Sequence, residues 1–327
     1  MNILITSAGR RVSLVKAFQT ELKKLVPEGK VMTTDSNIRM AAACHVSDNA
    51  FQLPLISDHD YINILLTTCI DNHIKIIIPT IDTELLLLAN NRDVFIKKGI
   101  IPIISSPKFI NITRDKRETH AFFVENNINA AKEYSKYKYK LPLFIKPING
   151  SRSVDNFIVK KQEDLTEYHF KNNELMFLEY LDHNCFEEFT CDLYYDKKGD
   201  LKCVVPRKRI EVRDGEVNKG LTDKNLLLDY IKARLSHIEG AIGCLTAQFF
   251  KNIETQEIYG IEINARFGGG YPLSYFAGAN FPKWILQEYL LNQEIDFYDG
   301  WEDQLLMLRY DNEVLVHENE KRYSTGI

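Results

Sequence analysis

CLTAQFFKNIETQEIYGIEINAR, residues 244–266, decides how this chain folds. Its two apolar runs have strand length and are separated by the polar stretch Glu254-Thr255-Gln256, so the segment reads as a β-hairpin. Gln248 lies in the first strand and Glu262 in the second. Folded back on that turn, antiparallel strands set these two side chains abreast, and Asn264, two residues on, shares their face. Three side chains with oxygen donors then meet at one place. Hard oxygen ligands on a rigid hairpin suit Mg2+, which takes few protein ligands and completes its octahedron with water and phosphate oxygens. Arg266 follows on the same side, placed to meet phosphate charge. On Glu262-x-Asn264 alone, the solvated half of an alternating strand fits equally well.

Outward from the hairpin, the chain changes rhythm once. Residues 2 to about 112 alternate short β-branched runs with helical periodicity, the pattern of a parallel sheet covered by helices. Strands are expected at Asn2 to Thr6, Lys30 to Thr34, Ile74 to Ile78 and Ile100 to Ile104. Helices are expected after Gly9, near 58–72 and near 82–98. Beyond Ser105-Ser106-Pro107 comes one helix from about Thr113 to Asn126, followed by runs that fit antiparallel strands at 143–147, 176–181, 188–195 and 201–210. A helix near 222–236 precedes the hairpin, and another near 282–291 follows it. The implied fold is α/β plus α+β.

Several weaker signals accompany the hairpin. Phe144-Ile145-Lys146-Pro147 ends an apolar strand on a lysine that can reach a phosphate, and the small-residue loop Gly150-Ser151-Arg152-Ser153 can lay backbone N–H groups against phosphates. Asp115-Lys116 opens the first turn of a helix, where ordinary capping is the plainer reading. Glu179-Tyr180-Leu181 ends another strand and could hold a base against main-chain groups. Glu188 opens the next strand, where its carboxylate could accept ribose hydroxyls. Pro206-Arg207-Lys208-Arg209 is either an anion clamp or a solvated face. Phe267-Gly268-Gly269-Gly270-Tyr271-Pro272 is a bare turn running into a helix, suited to an anion or to mere flexibility. Near the N-terminus, Ser7-Ala8-Gly9-Arg10-Arg11 follows a strand as a dinucleotide loop would, but has one glycine where G-x-G-x-x-G has three. Asp82, at the end of another parallel strand, could touch a second substrate.

In order and spacing these signals resemble the ATP-grasp ligases, in particular the members similar to carbamoyl-phosphate synthase large subunit, over about residues 113–280. The resemblance implies a Rossmann-like pre-ATP-grasp domain at 1–112 and an ATP-grasp domain of two α+β subdomains at 113–300. A C-terminal extension, 301–327, would pack on the latter. It implies ATP contacts at Lys116, Lys146, Ser151, Arg152, Ser153, Glu179, Tyr180, Leu181 and Glu188. Metal ligands would be Gln248, Glu262 and Asn264, for Mg2+ with Mn2+ as the alternative ion. Arg266 and Lys146 would serve the reaction. The implied activity is ligation of a small-molecule carboxylate to an amine through an acyl phosphate, with a kinase on the same fold or a non-catalytic ATP-binding regulator as alternatives. A synthase large subunit resembles two such units fused, and 327 residues hold one. The loop at 150–153 is also poorer in glycine than the family pattern.

Bulk properties agree with small-molecule chemistry. With 45% apolar residues the chain can bury a core, and a formal charge of -4 gives no field to draw it to nucleic acid or to a membrane surface. Six cysteines without any C-x-x-C pair argue against structural zinc and suggest reduced thiols of a cytoplasmic protein. A homodimer is compatible with all of this.

Overall fold

The computed structural model describes residues 1–150, 155–213 and 215–317. The first strands and helices are β1 (Asn2–Thr6), α1 (Val12–Leu25), β2 (Val31–Asp35), α2 (Ala42–Val46), β3 (Asn49–Gln52), α3 (Tyr61–Asp71), β4 (Ile74–Pro79), α4 (Asp82–Asn90), α5 (Arg92–Ile96) and β5 (Ile101–Pro102). The five strands form one parallel sheet in the order β3-β2-β1-β4-β5. Its central strands β1 and β4 are nearly continuous apolar runs because both faces are covered. β3 was not anticipated, since Asn49-Ala50-Phe51-Gln52 lacks a β-branched run; pairing with β2 forms it.

The helix expected from Thr113 to Asn126 is α7 (Lys116–Glu125), and a further helix, α6 (Pro107–Arg114), precedes it. Asp115 separates them: it adopts an extended backbone and its carboxylate accepts from the Arg117 and Glu118 amides, 2.8 and 3.3 Å. That capping opens α7. There follow β6 (Asn129–Ala130), β7 (Glu133–Tyr134), β8 (Leu143–Pro147), β9 (Phe157–Val159), α8 (Glu167–Lys171) and β10 (Leu175–Glu179). Strands β7, β10, β8 and β9, in that order, make a small antiparallel sheet.

The rest builds a seven-stranded sheet: β11 (Phe186–Tyr195), β12 (Leu201–Arg213), β13 (Glu216–Thr222), α9 (Leu227–Arg234), β14 (Gly243–Asn252), β15 (Ile258–Asn264), α10 (Tyr271–Phe276), α11 (Phe281–Leu290) and β16 (Leu306–Leu308). Its strand order is β16-β13-β12-β11-β14-β15-β6, with β6 parallel to β15. β13, Glu-Val-Asn-Lys-Gly-Leu-Thr, carries too little alternation to announce itself and is held by β12 on one side and β16 on the other.

Two contacts bring these layers to one place. α7 lies directly on β15, because Gly260 has no side chain: a Cβ there would stand 2.5 Å from the Phe123 ring. The N-terminal sheet and the large sheet share one apolar cluster that joins Ile3, Ile5, Val15 and Phe18 to Tyr194, Val205, Phe267 and Trp284. Phe18 of α1 meets Phe267, just past β15, edge to face at 5.9 Å. The loop ends of β1 and β4 are thereby fixed beside the end of the hairpin. All six cysteines are free thiols, five of them buried. Among the described residues no helix is long and apolar enough to cross a membrane.

Candidate functional site

β14 and β15 pair antiparallel with Gln248 directly opposite Glu262 and Thr246 opposite Asn264. The alternation of the strand puts Gln248, Glu262 and Asn264 on one face. Gln248 Nε2 and Asn264 Nδ2 both donate to Glu262 Oε1, at 2.8 and 3.1 Å. Three oxygen-bearing side chains thus converge on a single point, and each amide presents its oxygen there when turned over. That donor set suits a hard divalent cation.

Two lysines face this acid from other elements. Lys116 is the first residue of α7, and its Nζ donates to the Gly150 carbonyl at 3.1 Å, at the exit of β8. Lys146 sits on β8, only 5% exposed, and its ammonium makes no hydrogen bond or ion pair with any described residue. Burial pulls its pKa down to about 8, with Glu262 opposing the fall and Lys116 adding to it. Lys116 is also lowered by burial and supported by Glu262, Asp115 and Asp82. Desolvating an ammonium is costly, most of all for Lys146, whose ammonium has no partner among the described residues, so these two groups facing one carboxylate mark a place for anionic charge. His120, one turn after Lys116, is buried beside them. Burial and Lys146 hold its pKa at about 4, so it is a neutral imidazole at physiological pH.

The remaining expected nucleotide contacts are differently engaged. Glu179, the last residue of β10, clasps Lys132: its amide donates to the Lys132 carbonyl and its Oε1 accepts from the Lys132 amide, 2.9 and 3.0 Å. Tyr180 and Leu181 follow, half-buried, with no main-chain hydrogen bond to any described residue. Glu188 pairs with Arg209 at 3.1 Å, and burial raises its pKa while Arg209 opposes the shift. Ser151, Arg152 and Ser153 lie outside the described residues.

Arg207-Lys208-Arg209 is neither a free clamp nor a solvated face. All three bases are taken by β11: Lys208 by Glu187 at 2.5 Å, Arg209 by Glu188, and Arg207 by Asp192 through two bonds of 2.8 and 3.1 Å. Arg207 and Asp192 are 1% and 0% exposed, and Asp192 also accepts from Ser274 at 2.6 Å and Thr246 at 3.3 Å. This buried pair props the turn Gly268–Gly270. A Cβ on Gly268, Gly269 or Gly270 would lie 2.8 Å from Thr246, 2.7 Å from Glu216 or 2.2 Å from Arg207 respectively. The three glycines are there because polar side chains press on their backbone, rather than for flexibility.

Beside that turn the N-terminal sheet enters the site. Arg266 is held by Asp82, the first residue of α4, through Nε and Nη2 bonds of 2.9 and 2.6 Å. Arg309 pairs with Glu216 at 2.9 Å. Arg11, at the start of α1, is recessed between them. Glu216 and Arg309 carry no local signal in the sequence, and Arg11 was legible only as part of the Ser7–Arg11 loop; their partners come from distant segments.

Comparisons with known proteins fit this geometry. Residues 3–104 match the family model described as PylC-like, N-terminal domain, and residues 171–305 match the model described as ATP-grasp in the biosynthetic pathway with Ter operon. The chain has the ATP-grasp fold. The biotin carboxylase domain of Hydrogenobacter thermophilus 2-oxoglutarate carboxylase, solved with MgADP, ADP and bicarbonate, is 15% identical with a TM-score of 0.70. The match covers 93% of this chain and 73% of that one. L-amino acid ligase from Bacillus licheniformis is 18% identical with a TM-score of 0.65, over 88% and 74% of the two chains. N5-carboxyaminoimidazole synthetase from Staphylococcus aureus, solved with ADP, is 16% identical with a TM-score of 0.67, over 90% and 78%. No curated protein matches the sequence significantly.

Proposed function

We propose that this ATP-grasp protein is an ADP-forming ligase that joins a small-molecule carboxylate to an amine through an acyl phosphate, with Mg2+ as its ion. The observation that carries this reading is the pair of desolvated lysines, Lys116 and Lys146, facing Glu262. Related folds have been solved with ADP, and one is named an L-amino acid ligase.

Amide formation from a free carboxylate is uphill in water. The carboxylate oxygen therefore attacks the γ-phosphorus of ATP, ADP departs, and the amine then displaces phosphate from the acyl carbon. Phosphoryl transfer of this kind needs alignment and charge neutralisation more than a protein nucleophile. Lys116 and Lys146 bind the phosphates. The free main chain at Tyr180–Leu181 suits the edge of adenine, and Glu188 the ribose. Gln248, Glu262 and Asn264 would hold Mg2+, which supplies neutralisation of phosphate charge when bound. Arg266 reaches the acyl phosphate while Asp82 fixes its plane.

Screening amino acids and small carboxylates for ADP release with Mg2+, each with and without an amine, tests the proposal. A ligase releases ADP and phosphate and forms an amide; a stable phosphorylated product would identify a kinase instead, and ATP binding without turnover a regulator. Glu262→Ala should lose about a hundredfold in turnover, the typical cost of removing one preorganised charge contact, with melting unchanged. Near-normal turnover in that variant would overturn the metal assignment.

A further inference from the structure

The loop Ser7–Arg11 is a sequence feature that the nucleotide site does not absorb, and it is held at several points. Ser7 has a positive φ of 52°. The fully buried Glu84 accepts from Thr6 Oγ1 at 2.8 Å, from Ser7 Oγ at 3.2 Å and from Tyr61 OH at 2.7 Å. Thr80 Oγ1 donates to the Ser7 carbonyl at 2.8 Å, and the Gly9 amide to Asp35 Oδ2 at 3.0 Å. A strained loop held at this many points is preorganised rather than mobile.

What the loop presents is Arg11. Its guanidinium has five N–H donors, and among the described residues it makes one hydrogen bond, from Nη2 to the Thr80 carbonyl at 3.3 Å. The charges that face it are Arg266, Glu216, Asp82 and Arg309; burial and Arg266 bring its pKa down to about 10. Both acids are already engaged, Asp82 by Arg266 and Glu216 by Arg309. Three guanidinium groups against two carboxylates leave one positive charge over, and it is the one with unused donors. Arg10, exposed next to it, adds to the same sign.

We propose that Arg11 binds a second anionic group, a carboxylate or a phosphate, on the acid that this site activates. Arg11 shares the charges of Arg266, Asp82 and Glu216, and Arg309 links Glu216 to the Gly269 carbonyl, so the reacting carboxylate would sit at the Arg266 end of this cluster and the second anion at the Arg11 end. The substrate class is then a dicarboxylic or phosphorylated acid rather than a simple monocarboxylic one. A planar, forked donor matches either anion, which is why an arginine rather than a lysine serves here. The inference rests on the ligase reading above.

The test is calorimetric titration of the MgADP-loaded protein with succinate, glutarate and 3-phosphoglycerate, and with butyrate and valerate as singly charged counterparts. Wild type should bind at least one of the doubly charged acids about tenfold or more tighter than its counterpart, and the carboxylate and phosphate arms show which anion is preferred. Arg11→Gln should remove that preference, Arg11→Lys should retain part of it, and the affinity for MgADP should be the same in all three proteins. Equal binding of both charge classes by wild type, an unchanged preference in Arg11→Gln, or a loss of MgADP affinity in that variant would each overturn the assignment. Failure of wild type to bind MgADP at all would overturn the nucleotide reading beneath it, and is measured separately before any acid is added.

Discussion

Replacing Gly270 by alanine tests whether the buried Arg207–Asp192 pair shapes the substrate turn. The new methyl would lie 2.2 Å from Arg207 Nη1 and 2.7 Å from Val217 Cγ1, well inside ordinary contact. Arg207 cannot swing aside: it is 1% exposed and tied to Asp192 by bonds of 2.8 and 3.1 Å. Asp192 is in turn fixed by Ser274 and Thr246. Either the turn moves outward, at about 1–3 kcal/mol for overpacking, or the ion pair breaks, at about 3–5 kcal/mol for an uncompensated buried charge. The cheaper route wins, so Gly270→Ala should destabilise by about 1–3 kcal/mol. At about 2–4 °C per kcal/mol for domains of 150–250 residues, that is a fall of several degrees in Tm, readable by urea melts or calorimetry. Because the turn adjoins Arg266, kcat/KM for the acid should fall with it while MgADP affinity holds. A double-mutant cycle with Arg207→Leu locates the cause, since residues in contact couple by about 0.5–3 kcal/mol. A loss under about 0.5 kcal/mol, within the range of unstrained surface substitutions, or an equal loss in the Arg207→Leu background, would refute the argument.

Two further outcomes follow from the buried charges. Lys146 carries its charge below pH 8 and loses it above, so MgADP affinity should weaken by up to about tenfold per pH unit above 8, as single-proton linkage requires. The free protein should gain stability over the window above pH 8, because there the unfolded chain still holds a proton that the native lysine has released. A flat affinity profile from pH 7 to 9.5, or the same profile in Lys146→Met, would refute the role of this ammonium. Tyr61→Phe removes the 2.7 Å bond to the buried Glu84 and should cost about 1–3 kcal/mol, measured as a shift in urea midpoint. No shift would show that the Glu84 network does not hold the Ser7–Arg11 loop.

The sequence by itself determined whatever depends on neighbours along the chain. Alternation and a short turn bring Gln248 opposite Glu262, because the period of a strand is local. The β-branched runs of residues 2–79 become a parallel sheet for the same reason. Asp115 shows its signal locally too, as the capping side chain that opens α7.

Burial and pairing across the chain were decided only by the tertiary structure. Arg266 meets Asp82 from 184 positions away, and three bases that the sequence leaves as clamp or solvated face, Arg207 to Arg209, are absorbed by acids of β11. Lys146 becomes a buried, unpaired ammonium only when β8, α7 and the hairpin are brought together, and Arg11 a guanidinium with donors to spare only when the two halves of the chain share a core. The reason is electrostatic: the cost of burying a charge, and the partner that offsets it, depend on the dielectric and the neighbours that folding creates, and neither is written in residue order.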